Sequence, residues 1–116
     1  MPKVVVSVDF SDMSEEVKSA MRQQLLLGLE AIGLEMEGYA KDNSPVDTGT
    51  LRNSITYEVV TSGEDAVYVG TNVEYAIYVE YGEKAKHTTG QAHFLRDACV
   101  DHTERYKSIL EDALRE

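Results

Sequence analysis

Hydrophobic positions along this chain change period several times, and each period predicts an element. From Lys3 to Phe10, the residues Val4, Val6, Val8 and Phe10 alternate with Val5, Ser7 and Asp9. That period of two predicts a half-buried β-strand. Asp12, with Glu15 three residues on, resembles a capping box, and two acids fall in the first turn, where the helix dipole favours them. Val17, Met21, Leu25, Leu29, Ile32, Met36 and Tyr39 then recur at steps of three and four. This predicts an amphipathic helix of roughly 28 residues, about 42 Å long. Leu26, Leu27 and Leu34 widen its apolar face beyond one stripe. A broad core face and a face covered by a second subunit account for that excess equally well.

Asn43-Ser44-Pro45 stops the helix, because proline disfavours helical geometry in the residue before it. Leu51–Thr61 and Ala66–Thr71 are rich in β-branched and aromatic residues and predict two strands, with Ser62-Gly63-Glu64-Asp65 as the hairpin turn. Ile55, Tyr57 and Val59 share one face of the first strand, and Val67 and Val69 one face of the second. Between Glu74 and Gly82 a helical turn (Tyr75, Tyr78, Val79) competes with a strand (Ile77, Val79, Tyr81). A short helix ended by Gly82 is the expectation. Glu83–Ala92 is small and polar and predicts a mobile loop. Phe94, Leu95, Ala98, His102, Tyr106, Ile109, Leu110 and Ala113 predict a second amphipathic helix running to the C-terminus. The expected fold is α+β, with a long N-terminal helix and a C-terminal helix packed on a small antiparallel sheet, in the order β-α-β-β-(short α)-α.

Length and composition narrow what such a fold can do. With 116 residues, 42% hydrophobic and 28% charged, the chain is expected to form a single domain over residues 1–116. No apolar run approaches the roughly 20 residues of a membrane span, and the opening Met1–Val6 is too short for a signal peptide, so a cytosolic site of synthesis is expected. Cys99 is the only cysteine, which excludes an internal disulfide and predicts a buried, inert thiol. The net charge of −10 is shared by both halves of the chain and opposes binding to nucleic-acid phosphates.

Candidate chemistry is sparse. Asp47-Thr48-Gly49 matches the signature of homodimeric aspartic proteases, in which two carboxylates share a proton. Here, however, it follows a helix end and a proline, and the chain carries no glycine-rich flap and no second apolar-Gly-Arg element. The better reading of Pro45, Asp47, Thr48 and Gly49 is a rigid turn in which the Asp side chain bonds nearby backbone and Gly49 adopts positive φ. Arg52, just beyond, can pair with Asp47 or point at a partner. His87, His93 and His102 lack metal-ligand spacing, and His102 falls on an apolar helix face as a core histidine would. No nucleophile stands beside a histidine, no glycine-rich phosphate loop is present, and no cofactor is implied. Tyr75 and Tyr78 cluster with Tyr81 around Glu74 and Glu80, a composition that suits an interface as well as a core. Asn53–Glu83 holds six acids and no base, and Lys84 and Lys86 follow at once. An acidic face could thus meet the basic loop of the next subunit, the head-to-tail contact a ring requires.

Several of these strings stand in one order: Ala40, then Pro45-Val46-Asp47-Thr48-Gly49-Thr50-Leu51-Arg52-Asn53-Ser54-Ile55, Val69-Gly70-Thr71, Tyr75-Ala76-Ile77-Tyr78-Val79-Glu80-Tyr81-Gly82, and Phe94-Leu95. In that order the chain resembles, over roughly residues 14 to 114, the minor structural proteins of tailed bacteriophages and prophages that act at the neck or in tail completion. His93 stands where that family commonly carries a proline, and the loop before it is short. The resemblance implies a non-catalytic virion subunit that assembles with itself into a ring on the axis between capsid and tail tube. It would contact neighbouring head-completion and tail proteins, let DNA pass without binding it specifically, and be made in the host cytoplasm without a membrane or cofactor. A tail terminator or tail-tube-associated subunit is the alternative within that class. Arg52, Tyr75, Tyr78, Glu80, Lys84 and Lys86 are the expected subunit-contact residues.

Overall fold

The computed structural model describes residues 2–11, 13–44, 50–71 and 94–115. Its elements in chain order are β1 (Lys3–Val6), α1 (Glu15–Asn43), α2 (Thr50–Ser54), β2 (Thr56–Val60), β3 (Asp65–Gly70), α3 (Phe94–Val100) and α4 (Thr103–Arg115). The fold is α+β: the three strands form an antiparallel sheet in the order β1-β3-β2, and the helices pack on it. Val4 pairs with Val67 and Val59 with Val67 in the register, so β3 is the central strand. Its Val67 and Val69 are fully buried. Pro45, Asp47, Thr48, Gly49, the segment expected as a short helix (74–82) and the expected loop (83–92) lie outside the described residues.

The long helix is present over 29 residues, with Ser14 rather than Asp12 in the capping position. The Ser14 hydroxyl accepts from the Val17 backbone N–H at 3.3 Å. Leu25, Leu29, Ile32, Met36 and Ala40 line its buried face, as their spacing predicts. Val17 belongs to the same periodic series but is 45% exposed, because the first two turns of α1 run past the core. At the far end Ser44 is buried, with its N–H bonded to the carbonyls of Ala40 and Lys41 and its hydroxyl donating to Lys41 at 2.8 Å.

Three elements differ from the sequence expectation, and the first is β1, which is paired only over Lys3–Val6 although the alternation runs on to Phe10. Leu51–Ser54 is helical, and the strand that follows starts only at Thr56. Leu51 and Ile55, four residues apart, are both buried, so the local burial period is helical. Ser54 reinforces it by donating its hydroxyl to the Leu51 carbonyl at 2.7 Å, a side-chain bond that competes with the strand ladder. The C-terminal helix is broken at Asp101-His102 into α3 and α4. Val100, Asp101, His102 and Thr103 are all weak helix formers, and the break lets Phe94, Leu95, Ala98 and Cys99 reach the core together with Tyr106.

Polar contacts fix how the layers sit. Arg22 of α1 donates two bonds to Asp65 at the start of β3, at 2.7 and 2.8 Å. That bidentate pair is partly shielded and charge-assisted. Asp65→Ala is expected to cost about 1–2 kcal/mol, read as a lower urea midpoint at unchanged slope. Tyr106, 2% exposed, donates its hydroxyl to the Ala98 carbonyl at the α3–α4 break. Burial first, and then nearby Cys99, push its ionisation well above the ordinary tyrosine range. Tyr57 is shifted the same way, chiefly because its hydroxyl donates to Glu30 at 2.6 Å.

A tyrosine raised in the folded state contributes stability that is complete below its unfolded value, about pH 10, and is lost as the pH climbs towards the folded value. The urea midpoint is therefore expected to fall above about pH 10, and less steeply in Tyr106→Phe. Parallel alkaline limbs in the two proteins would contradict this assignment.

Candidate functional site

Among the described residues, no three His, Cys, Asp or Glu side chains converge to hold a metal. Cys99 is buried, with its sulfur 3.7 Å from the Met36 thioether, so it serves packing. His102 does not sit on the apolar face of a continuous helix. It lies half-buried in the α3–α4 turn, stacked flat on Tyr39 with centroids 3.5 Å apart and Tyr106 at its edge. Beside this stack Arg105 donates to Glu35 at 2.8 Å, and that hydrogen bond holds the Glu35 carboxyl below its ordinary range. An open cleft of about 300 Å³ runs between β1 and α4, with Val4, Val6, Ile32, Tyr106 and Leu110 among its walls. Among the described residues Lys107 is its one charged lining residue, so these walls offer room for a neighbour's side chains and bring together no acid–base pair.

Of the residues expected to make subunit contacts, Arg52 is described, whereas Tyr75, Tyr78, Glu80, Lys84 and Lys86 lie outside the described residues. Arg52 sits on α2, held against the C-terminal end of α1 by the buried neighbours Leu51 and Ile55. Its described partner is Asp42, at 3.5 Å, with the two side chains 43% and 72% exposed. A pair that long and that wet contributes little to stability. Among the described residues the guanidinium thus has one long contact, and it lies at the surface.

The outer face of α1 is the surface feature that the hydrophobic period only half announced. Leu27 and Leu34, which widened the apolar stripe, are 64% and 60% exposed. At 3.6 residues per turn they point away from Leu25, Leu29, Ile32 and Met36. Ala20, Ala31 and Gly38 fall on the same line, within about 40° of Leu27. From Ala20 to Gly38 this stripe carries no charge, in a chain that is 28% charged.

The acids that border the stripe are held by partners within the chain. Glu30 accepts from Tyr57, Glu35 from Arg105 and Asp42 from Arg52, while Glu37 lies 3.6 Å from Lys41. The spacing of three, four, three and four from Gln24 through Leu27, Ala31 and Leu34 to Gly38 was available in the sequence, but it was hidden by the stronger core period on the opposite side.

Comparison with known proteins adds a family. The model of the HK97-gp10-like family, described as "Bacteriophage HK97-gp10, putative tail-component", matches residues 9–82, more than half of the chain. The match begins after β1 and takes in all of α1, α2 and the β2–β3 hairpin. No curated protein and no solved structure matches the chain.

Proposed function

The chain belongs to the HK97-gp10-like family of bacteriophage tail components, and from that membership we propose that it assembles with itself into a ring at the neck or the tail end of the particle. As a tail component it has a structural role in the virion and works against other phage proteins. In the proposed ring, each subunit meets the next and the neighbouring head-completion and tail proteins, and DNA passes through without being gripped. Assembly takes place in the host cytoplasm.

The observation that carries this reading is the two-sidedness of α1. Its inner face is fully buried, yet Leu27 and Leu34 are left 64% and 60% exposed on the opposite side. Large apolar side chains exposed in a row mark a surface that a neighbouring protein covers. The net charge of −10 fits a passage that must not bind phosphate.

Arg52 is assigned to the contact between subunits, because its half-exposed cation on α2 has, among the described residues, only a weak pair to Asp42. Arg52→Glu is expected to leave the melting curve nearly unchanged, since an exposed pair contributes about 0–1 kcal/mol, and to abolish assembly. Light scattering behind size exclusion, with electron microscopy of the eluted species, tests both claims. Rings or a concentration-dependent ladder are expected for the wild type and only the small species for the mutant. A wild type that stays monomeric at every concentration, and whose tagged copy does not purify with particles of its phage, would refute the proposal.

A further inference from the structure

We propose that an extended segment of another virion protein lies in the cleft between β1 and α4, adds a strand to the open edge of β1 and sets a carboxylate against Lys107. The proposal rests on the tail-component reading and names how one neighbour is held.

The sheet supplies the backbone half of the site. β3 is the central strand, so β1 has, among the described residues, a strand on one side only. The Val69 N–H bonds the Pro2 carbonyl, and the register continues with Lys3 opposite Tyr68 and Val4 opposite Val67. Directly opposed residues in an antiparallel ladder alternate between bonded and non-bonded pairs. Pro2, Val4 and Val6 therefore turn their backbone groups to β3, and Lys3 and Val5 turn theirs away. The cleft lies on that outward side. Val4, Val5, Val6 and Ser7 all line it, although successive side chains of a strand point to opposite faces, so it follows the edge of β1. An extended chain about 4.8 Å away matches the outward N–H and C=O groups in spacing and kind.

Edge strands are commonly guarded by a lysine. Lys3 is committed elsewhere: its ammonium is held by Glu64 at 2.5 Å and lies 5.4 Å from the centre of the Tyr68 ring. On the helical side, Ile32 of α1 and Tyr106 and Leu110 of α4 line the cleft. Its volume of about 300 Å³ takes the alternate side chains that an added strand would turn towards the helices.

Charge selects the occupant. Of the eleven lysines and arginines, Lys84 and Lys86 lie outside the described residues, and eight of the other nine are in ion pairs. Lys107 is the ninth. It is exposed and has no such pair among the described residues, although Glu104 and Glu111 stand one turn to either side. In a chain of net charge −10, an unpaired cation beside an apolar cleft and a strand edge fits a segment that is apolar at alternate positions and carries an acid. A second copy fits poorly. Its β2 edge carries α1 beneath it, with the Tyr57 ring against Gly33, and α4 already fills that level beside the cleft. Two copies joined through β1 would bring both Lys107 cations to one groove.

Amide exchange on the free protein and photo-crosslinking in the phage particle test the proposal. By NMR, the Val4 and Val6 amides are expected to exchange at least about a hundredfold more slowly than the Val5 amide. Equal protection at Val5 would show that the chain covers its own edge, and the proposal would fall. In the particle, a benzophenone amino acid in place of Val5 or of Thr103, on the two walls of the cleft, is expected to link to one short segment of one other virion protein, with an Asp or Glu in it. Lys107→Glu is expected to cut both yields at least about tenfold, and exchanging that acid for lysine to restore them. Links within the chain, to a second copy or to two unrelated segments overturn the proposal, as do no links at all or a Lys107→Glu without effect. A chain missing from purified particles would overturn the tail-component reading itself, and this proposal with it.

Discussion

Replacing Phe94 by alanine is expected to cost about 3–5 kcal/mol, the range for removing a buried aromatic ring without full collapse of the cavity. Phe94 is the first residue of α3 and has no exposed surface. It belongs to the core formed with Leu25, Leu29, Ile32, Met36 and Val67, and so joins α3 to both α1 and the sheet. Small domains are stable by about 5–15 kcal/mol in total, so this one change removes a large share. Urea unfolding followed by far-ultraviolet dichroism measures it, and Phe94→Leu, which keeps most of the volume, is expected to cost well under half as much. A loss below about 1 kcal/mol for the alanine variant would mean that the ring is not the keystone of the α3 contact.

Phe94 is also an instance of what the sequence could tell. The spacing of Phe94, Leu95, Ala98 and Tyr106 predicts it at the start of a helix and on its apolar face. Long regular periods of this kind were legible: the alternation from Val4 to Phe10 and the stripe from Leu25 to Met36 both face the core as expected, although the paired strand itself ends at Val6. Short segments governed by one or two side chains were not. Leu51–Ser54 carries strand-like composition on its right, and its helical turn depends on the Ser54 hydroxyl reaching back to Leu51. The break at His102 arises where a run of weak helix formers meets the Tyr39 ring, a contact from a helix some sixty residues earlier in the chain. No local pattern announces such a contact.

The same division holds for the candidate site. That Leu27 and Leu34 are surplus to one stripe was visible from spacing, whereas which of two coverings applied depended on where the sheet lay. The pairing of Arg52 with Asp42 crosses from α2 to α1, so it could not be read from either segment. Order among motifs proved more informative than any one of them. Asp47-Thr48-Gly49 alone suggests a protease, but followed by Leu51-Arg52 and Val69-Gly70-Thr71 it belongs to a phage tail component.

Gly33→Ala and Gly38→Ala are expected to move stability in opposite directions, although both add one methyl to the interior of the same helix. A Cβ on Gly33 would lie 2.2 Å from Cδ2 and 2.7 Å from Cγ of Tyr57. Cγ is near the root of that side chain, so the ring cannot simply swing its tip aside. It must shift along β2, whose Tyr57 is in register with Val69 of β3 and hydrogen-bonded to Glu30. Overpacking of that kind costs about 1–3 kcal/mol, against which the gain in helix propensity of about 1 kcal/mol is a partial offset. Gly33→Val, bulkier and β-branched, should therefore be worse than Gly33→Ala. At Gly38 the added methyl meets nothing, and the propensity gain of about 1 kcal/mol is expected almost whole. Parallel urea curves at a concentration low enough to keep the protein dispersed read both effects. A stabilised Gly33→Ala would show that β2 is not seated against α1 at Tyr57. A destabilised Gly38→Ala would show that this glycine is needed within the single chain.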